Sequence, residues 1–435
     1  HLHGHAPPKI NSAIPTQFKK ISHSSALGWA NASAGLLAEK LVKAANPSNA
    51  TAGSAPSLNK VFFSDDGSTA MEVALKLAYE FARRTGRSKN PKFLSLNAAY
   101  HGDTIGAVSL GHIDLFHKSW AGLRFKTDKV FAPYCYRCPF NRAKPQRADA
   151  RSYRKCHWEC VGQVEQKFSE QKKKGNPYAA FVVEPLAQGA AGMIPQPSGW
   201  LHRINKIVRG NGAQLIADEV MTGFGRTGFS AGLKTENSKR KTLFACHQEN
   251  VQPDFLAVAK GLTGGYLPMA ATLTTQKVFD AFLGEYDEFK TFFHGHSFTG
   301  NQLGAAAAVA SLDLLTSQQS ICARQTLEEI LREELKNLWR FPNVGDIRQV
   351  GLVAGIELVK NWKTRESFAL EDRVGMRVCE TMAQFGVLTR PIGNVIVLMP
   401  PYCATKVQTQ TMVRVLGKAL AQELKAATFA ENSSD

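Results

Sequence analysis

Two polar groups stand at the ends of apolar runs in this chain. Lys260 closes Asp254-Phe255-Leu256-Ala257-Val258-Ala259 and is followed by Gly261-Leu262-Thr263-Gly264-Gly265. Upstream, Gln214-Leu215-Ile216-Ala217 ends in the acidic pair Asp218-Glu219. A surface lysine seldom ends an apolar run and opens a glycine-rich loop. A carboxylate at a buried strand end has to be paired to be tolerated. One chemistry uses both groups: a lysine amine condenses with an aldehyde, and a carboxylate keeps a pyridine nitrogen protonated so that the ring acts as an electron sink. Those are the two groups that pyridoxal 5'-phosphate (PLP) asks of a protein. Once displaced by substrate, the free lysine amine can move a proton between the substrate carbon and the cofactor.

The phosphate of such a cofactor needs its own seat. Gly67-Ser68 follows the strand-like run Val61-Phe62-Phe63 and opens a helix expected over Ala70–Thr85. Unpaired N–H groups and a positive helix dipole at that point suit a phosphate. Tyr100-His101-Gly102 follows the next strand, Phe93-Leu94-Ser95-Leu96, where a tyrosine ring can stack on a planar cofactor. Taken singly, these are an ordinary N-cap and an ordinary turn aromatic. His294-Gly295-His296-Ser297-Phe298-Thr299-Gly300-Asn301 has the form of a loop that donates a hydroxyl to a phosphate. A metal role for His294 and His296 lacks an obvious third ligand.

These residues need strands to hold them. The apolar runs at 93–96, 179–183, 215–217 and 255–258 are separated by helical patterns, which implies an α/β fold with a mainly parallel sheet covered on both faces. In such sheets ligands sit at the carboxyl ends of strands, and Glu184, Asp218 and Lys260 are all placed there. Residues 1–55 read as an N-terminal lobe with a helix near Ala34–Ala45. Residues 56–310 read as the large PLP-binding domain, and 135–175 as a polar, basic, cysteine-containing insertion within it. Residues 311–435 read as a smaller α+β domain, with one long helix over Leu312–Leu338 and strands at 350–358 and 395–399.

The bulk numbers bound the rest. The chain has 435 residues, 44% of them hydrophobic, enough for a large core and two or three domains. No apolar stretch reaches the ~18 residues of a membrane helix. The net charge of +17 is concentrated between Lys118 and Lys174 and at Lys239-Arg240-Lys241. Neither cluster carries the aromatic interleaving or helix-turn-helix pattern of a nucleic-acid binder, so a basic enzyme is expected and not a nucleic-acid partner. Eight cysteines in a chain this long are not a secreted disulfide framework. Four of them, Cys135, Cys138, Cys156 and Cys160, run C-x2-C then C-x3-C, close to a structural-zinc spacing. The alternative is a solvent-facing insertion with reduced thiols. His157 is a further possible ligand.

Together the motifs Asp218 to Gly228, Lys260 to Gly265 and His294 to Asn301 resemble the class III aminotransferases of PLP-dependent transferase fold type I, in order and over nearly the whole chain. Further stretches narrow the likeness: Ser64 to Ala74, Tyr100 to Thr104, Val183 to Gly189, and Arg390-Pro391-Ile392-Gly393-Asn394-Val395-Ile396-Val397-Leu398-Met399-Pro400-Pro401-Tyr402. They resemble the adenosylmethionine–8-amino-7-oxononanoate aminotransferases of biotin synthesis. The resemblance implies that Gly67 and Ser68 hold the phosphate, that Tyr100 contacts cofactor ring and substrate, and that Glu184 belongs to the cofactor site. It implies that Asp218 pairs with the pyridine nitrogen and that Lys260 carries the imine. It also implies that Gly295, His296 and Ser297 reach the phosphate and substrate of a neighbouring subunit in an obligate homodimer, that Arg226 supports substrate recognition, and that Arg390 grips the keto-acid carboxylate. A guanidinium suits that last task because it binds a carboxylate at two points. The loop reads His296-Ser297 where bacterial members carry Pro-Thr, with the hydroxyl retained. The insertion resembles the fungal and plant branch, often fused behind a dethiobiotin synthetase domain and placed in the mitochondrial matrix, with a cytoplasmic enzyme as the alternative. No Gly-x4-Gly-Lys-Thr/Ser loop occurs in this chain, which opens at His1 where family members extend further. The expected reaction moves the amino group of S-adenosylmethionine to 8-amino-7-oxononanoate. The alternatives are a general ω-aminotransferase of the ornithine or 4-aminobutyrate kind and a non-catalytic PLP-fold module.

Overall fold

A computed structural model of the chain describes residues 1–46, 57–228 and 242–431, with side chains through 424. The basic triplet at 239–241 and the last part of the expected N-terminal lobe lie outside the described residues. Strands β1 (Leu58–Ser64), β2 (Lys92–Leu96), β3 (Asp128–Val130) and β4 (Tyr178–Val183) come first. The short ribbon β5 (Ala187–Gln188) and β6 (Ile194–Pro195) follows, then β7 (Gln214–Asp218), β8 (Phe255–Val258) and β9 (Ala270–Thr275). Seven of these form one sheet in the order β1-β9-β8-β7-β4-β2-β3. From β8 to β3 the pairing is parallel, and β9 runs antiparallel to both β8 and β1. Every residue of β4, β7 and β8 is buried. That is why their sequences are near-continuous apolar runs rather than alternating ones.

Three helices frame this sheet at its start: α1 (Pro8–Phe18), α2 (Ala32–Ala45) and α3 (Gly67–Arg84). The Asp66 side chain accepts the Thr69 N–H and the Thr69 hydroxyl accepts the Asp66 N–H, a reciprocal cap that fixes where α3 begins. Its buried face, including Met71, Ala74, Ala78 and Phe81, packs against β8 and β9. The first residues thread under the glycine-rich turn after Lys260: the Leu2 N–H donates to the Gly264 carbonyl, and the His3 ring bonds Ser311.

The second sheet holds β10 (Val344–Val350), β11 (Val353–Asn361), β12 (Glu366–Ser367), β13 (Pro391–Ile392) and β14 (Val395–Leu398), all antiparallel. Two expectations change here. The expected helix 312–338 is two helices, Gln302–Thr316 and Gln318–Lys336. Ser317 separates them: it is extended (ψ 141°), and its hydroxyl accepts the Ser320 N–H and so caps the second helix. The first helix also crosses the expected boundary at 310–311. The run 350–358 is a hairpin and not one strand, because Gly351 turns the chain at φ +59° between β10 and β11.

The insertion is anchored rather than solvent-facing. Tyr134 and Arg137 hydrogen-bond Glu357 on β11, Arg147 donates to the carbonyls of Phe341 and Val344, and Arg151 donates to that of Gln349. Three of its arginines are therefore committed to the second sheet. It also carries the helix Glu159–Lys173. Among the described residues no helix is long and apolar enough to cross a membrane.

Candidate active site at the carboxyl edge of the sheet

Neighbouring parallel strands deliver the site residues to one edge. Asp218 ends β7 in register with Ala257 of β8, and Lys260 follows two residues after β8 ends. Glu184 follows β4, the other neighbour of β7. The turn Tyr100–Asp103 follows β2, which pairs with β4.

Asp218 is buried and accepts at both oxygens. The Val220 N–H donates to Oδ1 at 3.1 Å, and the His101 ring bonds Oδ2 through Nδ1 at 2.7 Å. Burial disfavours the charged imidazole, but the hydrogen bond that the ring donates to Asp218 and the charges of Asp218 and Glu184 outweigh it and raise the His101 pKa. The other ring nitrogen, Nε2, is buried without a partner. Each carboxylate oxygen still has a lone pair to offer, so a pyridinium N–H has an acceptor here. His101 is a site residue that the sequence reading named only as part of a turn. The signal available was its place next to Tyr100 at a strand end.

Glu184 is fully enclosed. It accepts the N–H of Tyr100 at 3.3 Å and of Gly189 at 2.8 Å, and burial pushes its carboxyl up to about 7. It therefore ties the Tyr100 turn to the segment after β4. The Tyr100 hydroxyl donates to Asp103 at 2.8 Å, and its ring stacks on His117 at 6.1 Å between centroids. Burial and the Asp103 carboxylate push the phenol up to about 12, while the Arg390 charge pulls the other way. Arg390 is exposed just before β13 on the second sheet.

The start of α3 and the Tyr100–Asp103 turn are in contact. The Asp103 N–H donates to the Ser68 hydroxyl at 3.3 Å. A Cβ on Gly102, whose φ is +119°, would lie 2.2 Å from that hydroxyl, and one on Gly67 would lie 2.6 Å from Val220. This is a backbone-lined cradle that only glycines permit. The Thr69 N–H is taken by the Asp66 cap, and the N–H groups of Gly67 and Ser68, which have no intrahelical partners, fit a phosphate. Lys260 is exposed at the start of a 3-10 turn with φ +45°, a strained conformation for a lysine. Together these residues fit PLP.

Arg226 is buried: its guanidinium donates to the Pro400 carbonyl at 2.8 Å and lies 5.2 Å from the Tyr402 ring. It clamps the segment after β14, because a buried guanidinium must spend its donors on acceptors within reach. Gly295, His296 and Ser297 sit on a loop that is not enclosed by this subunit's cleft. His296 lies 3.6 Å from Asp65, and the His294 ring bonds the Lys76 ammonium. The four cysteines Cys135, Cys138, Cys156 and Cys160 converge on one small cavity. Among the described residues, no three Cys, His, Asp or Glu groups stand in a ready-made metal-binding arrangement.

A lysine and a carboxylate at the ends of adjacent strands, with a glycine-opened helix start at the neighbouring turn, define a PLP-dependent transferase of fold type I. The chain belongs to the class III aminotransferases: the family model described as Aminotransferase class-III matches residues 1–420. It is 44% identical over 419 residues to a protein named adenosylmethionine-8-amino-7-oxononanoate aminotransferase from Geobacter sulfurreducens, covering 96% of this chain and 85% of that protein. A crystal structure of the same-named protein from Methanocaldococcus jannaschii superposes with a TM-score of 0.83 at 36% identity, covering 96% of this chain and 86% of that one. An amine transaminase from an uncultivated Pseudomonas species, in its PLP-bound form, gives a TM-score of 0.83 at 30% identity, with 96% and 88% covered.

Proposed function

We propose that the chain transfers the amino group of S-adenosylmethionine to 8-amino-7-oxononanoate, giving 7,8-diaminononanoate, with PLP as cofactor. The observation that carries this reading is Lys260 and Asp218 at the ends of adjacent strands, beside the Tyr100 turn that Glu184 and His101 tie to the same edge. The names of the relatives supply the substrate class. When bound, PLP supplies an aldehyde that takes and gives the amino group and a ring that withdraws electrons from the substrate carbon. Asp218 holds a proton on the ring nitrogen, and His101 keeps that carboxylate oriented. Lys260 Nζ anchors the cofactor and, once displaced, carries the proton to and from the substrate carbon. The Gly67-Ser68 helix start holds the phosphate. Tyr100 covers the ring, with its hydroxyl oriented by Asp103. Arg390 takes the keto-acid carboxylate.

The active form is a homodimer with shared sites in this reading. Support comes from exposed aromatics on and beside the 294–301 loop: Phe293 is 73% exposed, Phe289 67% and Phe298 57%. Clustered apolar exposure of this kind marks an interface. Gly295, His296 and Ser297 then serve the partner's phosphate and substrate. The resemblance to the fungal and plant branch supports placement in the mitochondrial matrix and association with a dethiobiotin synthetase domain; import and co-purification assays test these.

Lys260→Ala should abolish both half-reactions and the visible band of covalently held cofactor. Arg390→Ala should weaken the keto-acid substrate while leaving PLP bound. Wild-type protein that holds PLP but turns over only ornithine, 4-aminobutyrate or simple amines would sink the substrate assignment in favour of a general ω-aminotransferase. The superposition on an amine transaminase shows that the fold alone does not separate the two.

A further inference from the structure

We propose that Cys135, Cys138, Cys156 and Cys160 form a zinc-binding site that clamps the two ends of the insertion together. They come from two separate places in the chain, the turn after Pro133 and the entry to the helix Glu159–Lys173, yet line a single cavity with Arg154, Trp158 and Pro197. Its volume is about 10 Å³, room for one water-sized body and so for a single ion rather than an iron–sulfur cluster. None of the four is in a disulfide.

Donors and positive charge stand beside two of the four sulfurs. The Arg154 guanidinium donates to the Cys156 sulfur at 3.2 Å. Cys160 lies in the first turn of its helix, where the dipole is positive. Beside it is the indole N–H of Trp200, fully buried and without a partner. Neutral thiols packed as small apolar groups need none of these donors. The four are free thiols, and among the described residues no three of them stand in a ready-made metal-binding arrangement. Zinc changes that: Zn²⁺ binds four sulfurs, four S–H bonds break and four protons leave to solvent. The product carries a net charge of −2, and Arg154 and Arg203 sit over the Trp158 ring at 4.0 and 4.5 Å to offset it. The insertion's basic character thereby gains a local purpose. By fixing 135–138 to 156–160, the ion would hold Tyr134 and Arg137 against Glu357 on the second sheet.

The test is metal analysis of full-length protein purified reduced and without chelator, then cobalt(II) exchange. One zinc per chain is expected, as are the intense charge-transfer and ligand-field bands of tetrahedral cobalt thiolate. Cys138→Ser and Cys156→Ser should each weaken cobalt binding at least about tenfold, with PLP content retained, while Cys322→Ser changes nothing. Should those variants not fold, titrating the wild type with a mercurial should release zinc in step with the thiols modified. Absence of zinc together with absence of thiolate–cobalt bands overturns the proposal. So does a Cys135–Cys138 or Cys156–Cys160 disulfide in the native protein.

Discussion

Asp218 and Glu219 are consecutive carboxylates with opposite tasks. Asp218 faces the cleft and pairs with His101. Glu219 points into the protein and accepts the N–H groups of Ala245 and Cys246 at 2.7 and 2.8 Å, which binds the segment returning at 242–246 to the end of β7. Burial pushes its carboxyl up to about 7 from an ordinary 4.5. The folded-state value lies above the unfolded one, so the fold favours the protonated acid. No stability is lost below about pH 4.5; the loss grows as pH rises and is complete above about 7, on the order of 3 kcal/mol. Glu219→Gln removes the titration and adds a constant offset from its misplaced amide. Thermal unfolding of both proteins should therefore show the wild type's advantage shrinking from pH 5 to pH 8. A difference that stays flat across that range would refute the assignment.

Elements decide which residues meet, and here the sequence is read unevenly. Lys260, Asp218 and Glu184 were legible because each ends an apolar run, and a parallel sheet sends all such ends to one edge. Arg226 was not, because its direction depends on a carbonyl 174 residues further along the chain. Ser317 was missed because a lone serine inside a helical pattern reads as a tolerated interruption, whereas its hydroxyl caps a new helix. His101 was hidden by the turn it sits in, since only the return of β7 beside β4 shows it Asp218. The junction of α3 with the Tyr100–Asp103 turn is where two such elements touch. Gly102→Ala places a methyl 2.2 Å from the Ser68 hydroxyl on a backbone at φ +119°, so the helix start and the turn must separate. The phosphate cradle opens, and PLP affinity should fall at least about tenfold, roughly 1.4 kcal/mol. Cofactor titration followed by absorbance checks this. Unchanged affinity would mean that the phosphate sits elsewhere.

At the scale of the whole molecule, the question is whether one chain holds a complete site. Lys260 and Asp218 follow adjacent strands and Ser68 touches the Tyr100–Asp103 turn within one subunit, while Ser297 lies on an exposed loop flanked by Phe293 and Phe298. A two-fold dimer makes this loop's role reciprocal: each copy gives its loop to the other's site. Two inactive variants can then complement one another. Lys260→Ala lacks the amine, and Ser297→Asp sets a carboxylate against the phosphate. In a mixed dimer, one site combines both defects and the other combines the intact Lys260 of one chain with the intact Ser297 of its partner. Random re-pairing of equal amounts makes half the dimers mixed, so roughly a quarter of all sites recover. Denaturing and refolding the mixture with PLP should restore about that fraction of wild-type turnover, and each variant refolded alone should restore none. Recovery no greater than the sum of the separate variants would show that Ser297 serves its own chain, and the shared-site dimer would have to be abandoned.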